Sequence, residues 1–421
     1  MPVILPPPPE RSPPTPPNPF IWLVVCVFVM AGGAAKTLFT WPKNVPTGTP
    51  TFWLQVAVYP ALACVILYGL RLLYFERQTD RLDTERQDWK EKCTEATVFA
   101  QEPLALLASG YLCALGSLNA ANAIVTGSRP LESQVPPAGK EAIRHTTLSL
   151  IDDPLLADRY ASCFRELLAM TDDSLRAIPE SIPFAVYLNH PGDIDAAELR
   201  DIWQTCWAQT GHRAVEASVL ARDKGVMALD AWLDAYGGPV LEKIALFVTV
   251  QLHETPTENS TEAAVALLFC WAPLAQRNGL PVQALLHRPV EQSDNTLRDV
   301  VETALLWGRT QAGDVADVWQ TGLAPADKPA LLDIASGIQL GASQTNVLEG
   351  FHDIDLAIGH AGIADAWLTV ALAAEHVVNT GKPQAVVSRQ HAIRLAVVQP
   401  FPAPAGERAM TLMENNKEGS A

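Results

Sequence analysis

Residues 221–229 form the turn whose position bears most directly on chemistry, because it joins an apolar run to an alanine-rich segment. The pattern over residues 219–250 predicts a strand, a sharp turn, a helix that stops at a Gly-Gly pair, and a second buried strand. A cysteine in such a turn is nucleophilic, since the helix dipole and nearby donors lower the pKa of its thiol. This turn instead contains Arg222, Asp223 and Lys224. A guanidinium cannot be deprotonated and is not acylated under ordinary conditions.

Two later segments offer side chains for acid–base chemistry. Residues 317–322 read Asp-Val-Trp-Gln-Thr-Gly and place Trp319 and Gln320 at the end of a predicted strand. Neither side chain can act as a general base. Residues 358–362 read Ile-Gly-His-Ala-Gly and place His360 just before a predicted helix. A lone histidine there is more often a hydrogen-bonding residue of the structure than half of an active site.

A small polar cluster, His352 with Asp353 and Asp355, precedes the histidine segment. A metal site is one interpretation, but we favour a polar loop that caps the next strand. Residues 189–193, Asn-His-Pro-Gly-Asp, are interpreted as a turn that caps the following helix. His-x-x-x-His spacing, a Gly-x-Ser-x-Gly elbow and a Walker loop are absent from the sequence. We therefore expect neither a metal nor a cofactor.

Charge and cysteine usage narrow the class of protein. The chain has 421 residues and a formal net charge of −16, which argues against a nucleic-acid partner because phosphate binding needs a basic surface. The seven cysteines are scattered and include no Cys-x-x-Cys pair, so we interpret them as reduced thiols rather than a disulfide framework or a zinc site. They are Cys26, Cys64, Cys93, Cys113, Cys163, Cys206 and Cys270.

The N-terminal part predicts a membrane anchor. Residues 1–19 are rich in proline and predict a disordered, extended tail, which serves as a spacer or as a ligand for an aromatic groove. Two apolar spans, residues 20–41 and 51–75, each have the ~20 residues needed to cross a bilayer and predict a transmembrane hairpin. Residues 76–100 predict a charged juxtamembrane helix. Two buried core helices are the alternative, which the near absence of polar interruptions disfavours.

The distribution of basic residues predicts the orientation of this hairpin. The short loop between the spans contains Lys43 as its basic residue, whereas several arginines and lysines occupy the end of the second span and the residues beyond it. By the positive-inside rule, both termini and the main domain are expected in the cytoplasm. The basic residues are Arg71, Arg77, Arg81, Arg86, Lys90 and Lys92.

Residues 101–402 predict one α/β domain with mixed sheets, because strands and helices alternate without an intervening linker. Residues 403–421 predict a disordered tail. Strands are expected at 104–115, 183–188, 214–220, 243–252, 263–271, 282–287, 315–320, 355–359 and 384–398. Helices are expected at 155–170, 195–210, 226–236, 295–309 and 363–379.

Taken in order, several motifs resemble those of the thiolase-like fold shared by thiolases and ketoacyl synthases. Residues 221–229 resemble the family's Ala-Cys-x-Ser-Gly-x-x-Ala-Leu nucleophile elbow, and residues 260–269 resemble its Glu-Ala-Ala-Ala-x-x-Leu strand. Residues 317–322 occupy the place of the first histidine loop. Residues 358–368 resemble the Gly-His-x-x-Gly-Ala-x-Gly segment and match it best. This resemblance covers residues 100 to 400 and implies a thiolase-like layered α/β/α domain.

The same resemblance implies a degenerate active site. The cysteine position corresponds to Arg222, followed by Asp223 and Lys224, and the first histidine position corresponds to Gln320 or Trp319. Of the expected catalytic groups, His360 alone remains. We therefore expect a pseudoenzyme, in which the charged turn fills an inactive pocket or faces a protein partner. An acidic partner of Arg222 inside the old cleft would favour the first of these two interpretations.

Degenerate thiolase-like proteins of this kind are associated with bacterial type VI secretion loci. The resemblance thus implies an accessory or adaptor protein of the bacterial inner membrane that handles a secretion effector or spike protein and forms a homodimer. The alternative is an acyl-transferring enzyme with a relocated nucleophile such as Cys206 or Cys270, although neither has an activating setting. A membrane scaffold that oligomerises through its spans is a third hypothesis.

Overall fold

The computed structural model describes residues 3, 5–9, 14–43, 46–135, 141–148, 155–222 and 224–402, without the side chain of Asn346. The chain divides into two compact units, Ile4–Ala96 and Thr97–Ala421, and the second also includes Met1–Val3. The predicted C-terminal tail and Asp223 lie outside the described residues, so their predictions stay untested.

The first unit is helical, as the apolar spans predict. It contains α1 (Pro19–Thr40), followed by α2 (Pro50–Trp53), a π-helical stretch (Leu54–Val58) and α3 (Tyr59–Ala100). The last three are continuous, so the predicted second span and the juxtamembrane segment form one helix. Both long helices contain an apolar stretch of sufficient length to cross a membrane, of which only 6% and 11% is buried. They are candidate spans by length and composition.

The two long helices pack against each other at more than one place along the hairpin. Gly33 of α1 allows this approach, because a Cβ atom at that position would collide with the ring of Pro60. Trp22 and Tyr68 meet edge to face with ring centroids 5.6 Å apart. These contacts make the pair a helical hairpin, which agrees with the prediction from the short Pro- and Gly-containing loop.

The second unit is built on a mixed sheet that has 11 strands in the described part of the chain. The strands of the whole molecule are β1 (Leu104–Leu112), β2 (Glu132–Gln134), β3 (Ile143–Thr146), β4 (Phe184–Asn189), β5 (Ala217–Leu220), β6 (Ile244–Gln251), β7 (Ser260–Thr261), β8 (Ala263–Trp271), β9 (Ala284–Leu286), β10 (Val290–Glu291), β11 (Asp317–Thr321), β12 (Phe351–Asp353), β13 (Gln384–Arg389) and β14 (Ile393–Pro400). Strands β2, β3 and β7 form a separate small sheet, and β10 pairs with β14 at the margin of the large one.

The large sheet repeats one topology twice. Its order is β12-β11-β13-β14-β9-β1-β8-β6-β4-β5. In each half the five strands are arranged third, second, fourth, fifth and first in chain order. The fifth strand, β8 or β14, is antiparallel to both of its neighbours, and the other neighbouring pairs are parallel. Strands β1 and β9 pair antiparallel and join the two halves.

Helices cover both faces of each half-sheet. In the second unit they are α4 (Ala120–Val125), α5 (Leu156–Arg176), α6 (Ala196–Gln209), α7 (Met227–Leu233), α8 (Gly238–Leu241), α9 (Ala272–Asn278), α10 (Leu297–Trp307), α11 (Asp327–Gly337), α12 (Ile354–Ala357) and α13 (Asp365–Thr380). Helices α7 and α13 lie in a middle layer that contacts strands of both halves. Helices α5 and α6 pack on the outer face of the first half, and α10 and α11 on the outer face of the second.

Successive side chains along each strand point to opposite faces of the sheet, so each strand contributes to two of these layers. In β6, Phe247 belongs to the middle layer, whereas Leu246 and Val248 face the outer helices. In β13, Val386 faces the middle layer and Val387 the outer helices. Both faces of the strands are therefore buried, which explains why they are continuous apolar runs in the sequence. The predicted layered α/β architecture with mixed sheets is confirmed.

One predicted strand is wrong. Residues 355–359 overlap the short helix α12, which begins after Asp353 because that side chain accepts a hydrogen bond from Leu356 N at 3.0 Å. The strand of this region is β12, a few residues earlier. The expected strand at 384–398 is a hairpin of β13 and β14. The prediction of a strand at 104–115 was too long, since β1 ends at Leu112.

Candidate functional site

The charged turn lies between β5 and α7, as predicted. Arg222 is exposed, and its Nη2 donates a hydrogen bond to the carbonyl of Pro191. The guanidinium rests on Gly192, which has φ of +95° and leaves no room for a Cβ atom. Lys224 is exposed, and its carbonyl accepts a hydrogen bond from Met227 N at 2.9 Å. Arg222 thus contacts the neighbouring loop that contains Pro191. Among the residues that the structure describes, no carboxylate accepts a hydrogen bond from it.

Arg222 and His360 line the same cleft, although they are 138 positions apart in the sequence. The cleft has a volume of about 710 Å³. Its ionisable lining residues are Asp193, Arg222, His253, Glu254, His360, Arg389 and His391. Among its described lining residues there is neither a cysteine nor a serine, and the hydroxyl groups belong to Thr255 and Thr257. The described lining therefore combines arginine and histidine side chains with two carboxylates and two threonine hydroxyls, and it offers no thiol.

A buried carboxylate holds the imidazole of His360. Nδ1 of His360 forms an ion pair with Oδ2 of Asp365, the first residue of α13. The other oxygen of Asp365 accepts a hydrogen bond from Ala361 N at 2.5 Å. The hydrogen bond with Asp365 raises the pKa of His360 to about 9, while burial raises the pKa of Asp365 to about 6. The contact therefore favours the charged form of His360, and Nδ1 of the same ring also lies 3.2 Å from Gly362 N.

The backbone at His360 is fixed by the loop before β8. His360 N donates to the carbonyl of Asn259 at 2.7 Å, and the carbonyl of His360 accepts from Thr261 N at 3.0 Å. Gly359 makes this approach possible, because its φ is +103° and a Cβ atom would lie 2.8 Å from the carbonyl oxygen of Ser260. Backbone crowding therefore accounts for the glycine at position 359, whatever the role of His360.

Asp355 completes a three-residue cluster with His360 and Asp365, whose ligand atoms all lie within 4.8 Å of one another. Its two oxygens accept hydrogen bonds from Thr321 Oγ1 and from Gly322 N, each at 2.7 Å. Burial raises the pKa of this carboxyl. Each oxygen of Asp355 thus accepts one hydrogen bond, while Nδ1 of His360 faces Asp365.

The residues expected at the first histidine position do not line the cleft. Gln320 is buried, and its Nε2 donates to Oδ2 of Asp353 at 3.2 Å. Trp319 is fully buried, and its Nε1 donates to Oε1 of Gln384 at 3.1 Å. Of the residues predicted for the degenerate site, Arg222 and His360 line one cleft. Trp319 and Gln320 of β11 are instead buried in the core.

The predicted polar cluster of His352, Asp353 and Asp355 separates into three different settings. His352 Nε2 lies 2.9 Å from Asp317 Oδ1 in the core, and Asp353 pairs with Lys328 and caps α12. Asp355 alone joins His360. The predicted polar loop that caps a strand is therefore wrong, because His352 and Asp353 belong to β12 and Asp353 caps the helix α12 that follows.

The candidate replacement nucleophiles lie in unfavourable places. Burial raises the pKa of the Cys270 thiol to about 12 and also raises the pKa of Cys206. The same cause raises the pKa of Cys113 to about 11 and of Cys163 to about 12. A buried thiol with a raised pKa is a poor nucleophile, because the reactive thiolate is scarce at neutral pH.

Sequence reasoning missed Asp365, the partner of His360, and several residues that line the cleft. Asp365 gave one signal, since it is an acidic residue in an apolar segment five positions after His360. The turn between β13 and β14 brings Arg389 and His391, and the loop after β6 brings His253. No local pattern marks these residues, because they meet only when the two half-sheets fold together. The turn at 189–193 also lines the cleft through Pro191 and Asp193, and its predicted capping role is wrong, because Asp195 caps α6.

Comparisons with known proteins show the fold. No family model matches the chain, and no curated protein matches it. Among solved structures, the ketosynthase from module 6 of the bacillaene synthase of Bacillus subtilis 168 has 12% identity and a TM-score of 0.53 over 72% of this chain and 71% of that one. The ketosynthase domain OzmH KS7 of Streptomyces albus JA3453 has 10% identity and a TM-score of 0.52 over 72% and 76%.

A third similar structure contains a protein complex. It is a type II polyketide acyl-carrier protein with its ketosynthase bound to the hexaketide, with 12% identity and a TM-score of 0.50 over 72% of this chain and 100% of that one. The second unit of this chain therefore has a ketosynthase-like, thiolase-like fold. The two apolar helices of the first unit come before this fold in the chain.

Proposed function

We propose that this chain is a non-catalytic protein of thiolase-like fold that acts as a membrane-held adaptor for another protein. One observation carries the proposal: the turn after β5 presents the guanidinium of Arg222 to the cleft that His360 also lines, where the described lining offers no thiol. An arginine at that point cannot accept an acyl group, whatever base stands beside it.

The setting of Arg222 supports a role in binding. Its described hydrogen-bond acceptor is the carbonyl of Pro191, and its side chain is exposed. A guanidinium that filled a dead pocket would be buried against a carboxylate. With the imidazolium of His360 in the same cleft, Arg222 suits a carboxylate from a partner protein. Secretion effectors or spike proteins of a type VI system are the partners that we propose.

The membrane anchor is the second part of the proposal. The candidate spans expose large apolar side chains, including Phe20 at 79%, Phe28 at 73% and Val65 at 69%. Such a surface needs a lipid or protein environment. Basic residues on one side of the hairpin support a cytoplasmic location of both termini and of the main domain in a bacterial inner membrane.

A homodimer through the thiolase-like domain is also part of the proposal. The large sheet ends in the short edge strand β5, which directly precedes the charged turn. Edge strands carry unpaired backbone donors and acceptors, and pairing with a second copy would satisfy them. Such a dimer would place two copies of the Arg222 turn near one interface.

Affinity purification from membranes in mild detergent tests the adaptor role. Tagged protein should retain a specific partner when it is expressed with its complete secretion locus, and Arg222→Glu should reduce that retention at least tenfold. Arg129→Glu is the matched control, because Arg129 is also exposed but does not line the cleft. Equal recovery of the partner with both variants, or no specific partner, would contradict the proposal.

An acyl-transferring enzyme is the second candidate, and the His360–Asp365 pair is the observation that favours it. A histidine oriented by a buried carboxylate is a common general acid or base. However, a pKa of about 9 keeps this imidazole protonated at neutral pH, which suits anion binding better than proton abstraction. Covalent acylation of the chain would distinguish the enzyme from the adaptor.

A further inference from the structure

The proline-rich N-terminal segment contacts the juxtamembrane part of α3. Nε1 of Trp89 donates a hydrogen bond of 2.9 Å to the carbonyl of Pro6, and Sγ of Cys93 lies 3.9 Å from the same oxygen. Nη2 of Arg71 lies 3.5 Å from the carbonyl of Thr15. All of these residues belong to the compact unit Ile4–Ala96. The tail thus meets the helix at two separate places.

The two contacts lie no further apart than a proline-rich segment of this length can reach. Pro6 and Thr15 are nine positions apart in sequence, which corresponds to about 28 Å at ~3.1 Å per residue. Arg71 and Trp89 are 18 positions apart in a helix, which corresponds to about 27 Å at ~1.5 Å per residue. The two lengths agree, and the order of the contacts makes the tail antiparallel to α3.

One face of α3 is suited to this tail. Phe75, Thr79, Leu82, Trp89 and Cys93 are less exposed than most of their neighbours, and their spacings of three, four and seven residues place them on one side of the helix. Pro6, Pro14 and Pro17 are the correspondingly less exposed residues of the tail. Arg71 and Glu85 are shielded on the same side of the helix, so this face combines apolar with polar side chains.

We propose that this face of α3 is a polyproline-binding site, occupied by the tail of the same chain. A polyproline II segment has no internal hydrogen bonds, so its carbonyls are open acceptors for an indole N–H group. Proline-recognition domains use aromatic grooves in the same way. In the described part of the tail, the carbonyls of Pro6 and Thr15 contact α3 in this way. This inference does not depend on the adaptor role or on the state of the cleft.

Cysteine cross-linking tests the register. Leu5→Cys places a thiol next to Pro6 and near the native Cys93, whereas Thr15→Cys places it about 28 Å further along the tail. Under mild oxidation in detergent, Leu5→Cys should form an intramolecular disulfide with Cys93 at least tenfold faster than Thr15→Cys. Cys93→Ser should abolish this product. Equal rates for the two variants, or disulfides that join two copies, would overturn the proposal.

Peptide binding tests the chemistry. A variant without residues 2–18 should bind a fluorescent peptide of residues 1–19 in detergent, whereas the complete chain should bind it at least tenfold more weakly because its own tail competes. Trp89→Phe should weaken binding to the tail-less variant about fivefold, the effect of one hydrogen bond. Trp53→Phe is the control, because Trp53 is exposed near the other end of the helix. Equal binding by the tail-less and complete chains, or no effect of Trp89→Phe, would overturn the proposal.

Discussion

Nδ1 of His360, a residue that lines the cleft, forms an ion pair with the buried carboxylate of Asp365 at the start of α13. This contact fixes the ring and its charge at neutral pH. Asp355 adds a second carboxylate to this cluster, and Thr321 and Gly322 hold it in place. The histidine of this site is therefore a positioned cation.

Removal of the carboxylate should change the titration of His360. In Asp365→Asn, the pKa of His360 should fall from about 9 towards its ordinary value of 6.5. Histidine-selective NMR over a pH series measures this shift. Asp201→Asn, an exposed change in α6, should leave the titration unaltered. An unchanged pKa in Asp365→Asn would show that the ion pair does not hold the proton.

The same pair should make stability depend on pH. Because the folded-state pKa of His360 lies above its value of 6.5 in the unfolded chain, its stabilising contribution is complete below about pH 6.5 and is lost as the pH rises through about 9. The melting temperature of the wild type should therefore decrease across this window more than that of Asp365→Asn. Parallel profiles for the two proteins would contradict this assignment.

A buried ion pair between Arg288 and Asp230 should be sensitive to truncation. Arg288 is fully buried, and its Nη1 lies 2.7 Å from Asp230 Oδ1 and 2.6 Å from Asp234 Oδ1. Arg288→Met should lower the free energy of unfolding by about 3–5 kcal/mol, because it leaves a buried carboxylate unpaired. Denaturant unfolding of the full chain in detergent measures this value.

Arg277 provides the control for that measurement. It forms an exposed ion pair with Glu242 at 2.8 Å, so Arg277→Met should cost only about 0–1 kcal/mol. Similar decreases in the free energy of unfolding for the two variants would mean that burial does not determine how much these ion pairs contribute to stability.

The orientation of the hairpin can be tested by labelling. With Cys93 changed to Ser, a membrane-impermeant maleimide should label Lys43→Cys in intact spheroplasts, because the loop between the spans is expected outside. Thr84→Cys, in the exposed part of α3, should react only after the cells are opened. The reverse pattern would place the main domain outside the cytoplasm.

Sequence patterns predicted the scaffold better than the site. Strand β8 was predicted with its observed bounds, since it is a continuous apolar run that is buried on both faces. Residues 355–359 were predicted as a strand, because a short apolar run does not distinguish a strand from a helical turn. The side chain of Asp353 caps this segment and so favours a helix, and such caps are weak signals in a single sequence.

The cleft could be predicted only in part. Arg222 and His360 were found because each sits in a recognisable turn beside a helix. Arg389 and His391 were not, since they enter the cleft through a hairpin whose position depends on the pairing of the two half-sheets. The ion pair with Asp365 likewise depends on how α13 begins, which sequence spacing alone did not reveal.

The central claim is that the cleft does not perform acyl transfer. Incubation of the purified chain with acyl-CoA thioesters, followed by intact-protein and peptide mass spectrometry, tests it most directly. The account predicts no acyl adduct on the wild type, and adducts on the substituted residue in Arg222→Cys if the cleft still admits a thioester. An adduct on any native cysteine that disappears in His360→Ala would contradict the account and establish an enzyme.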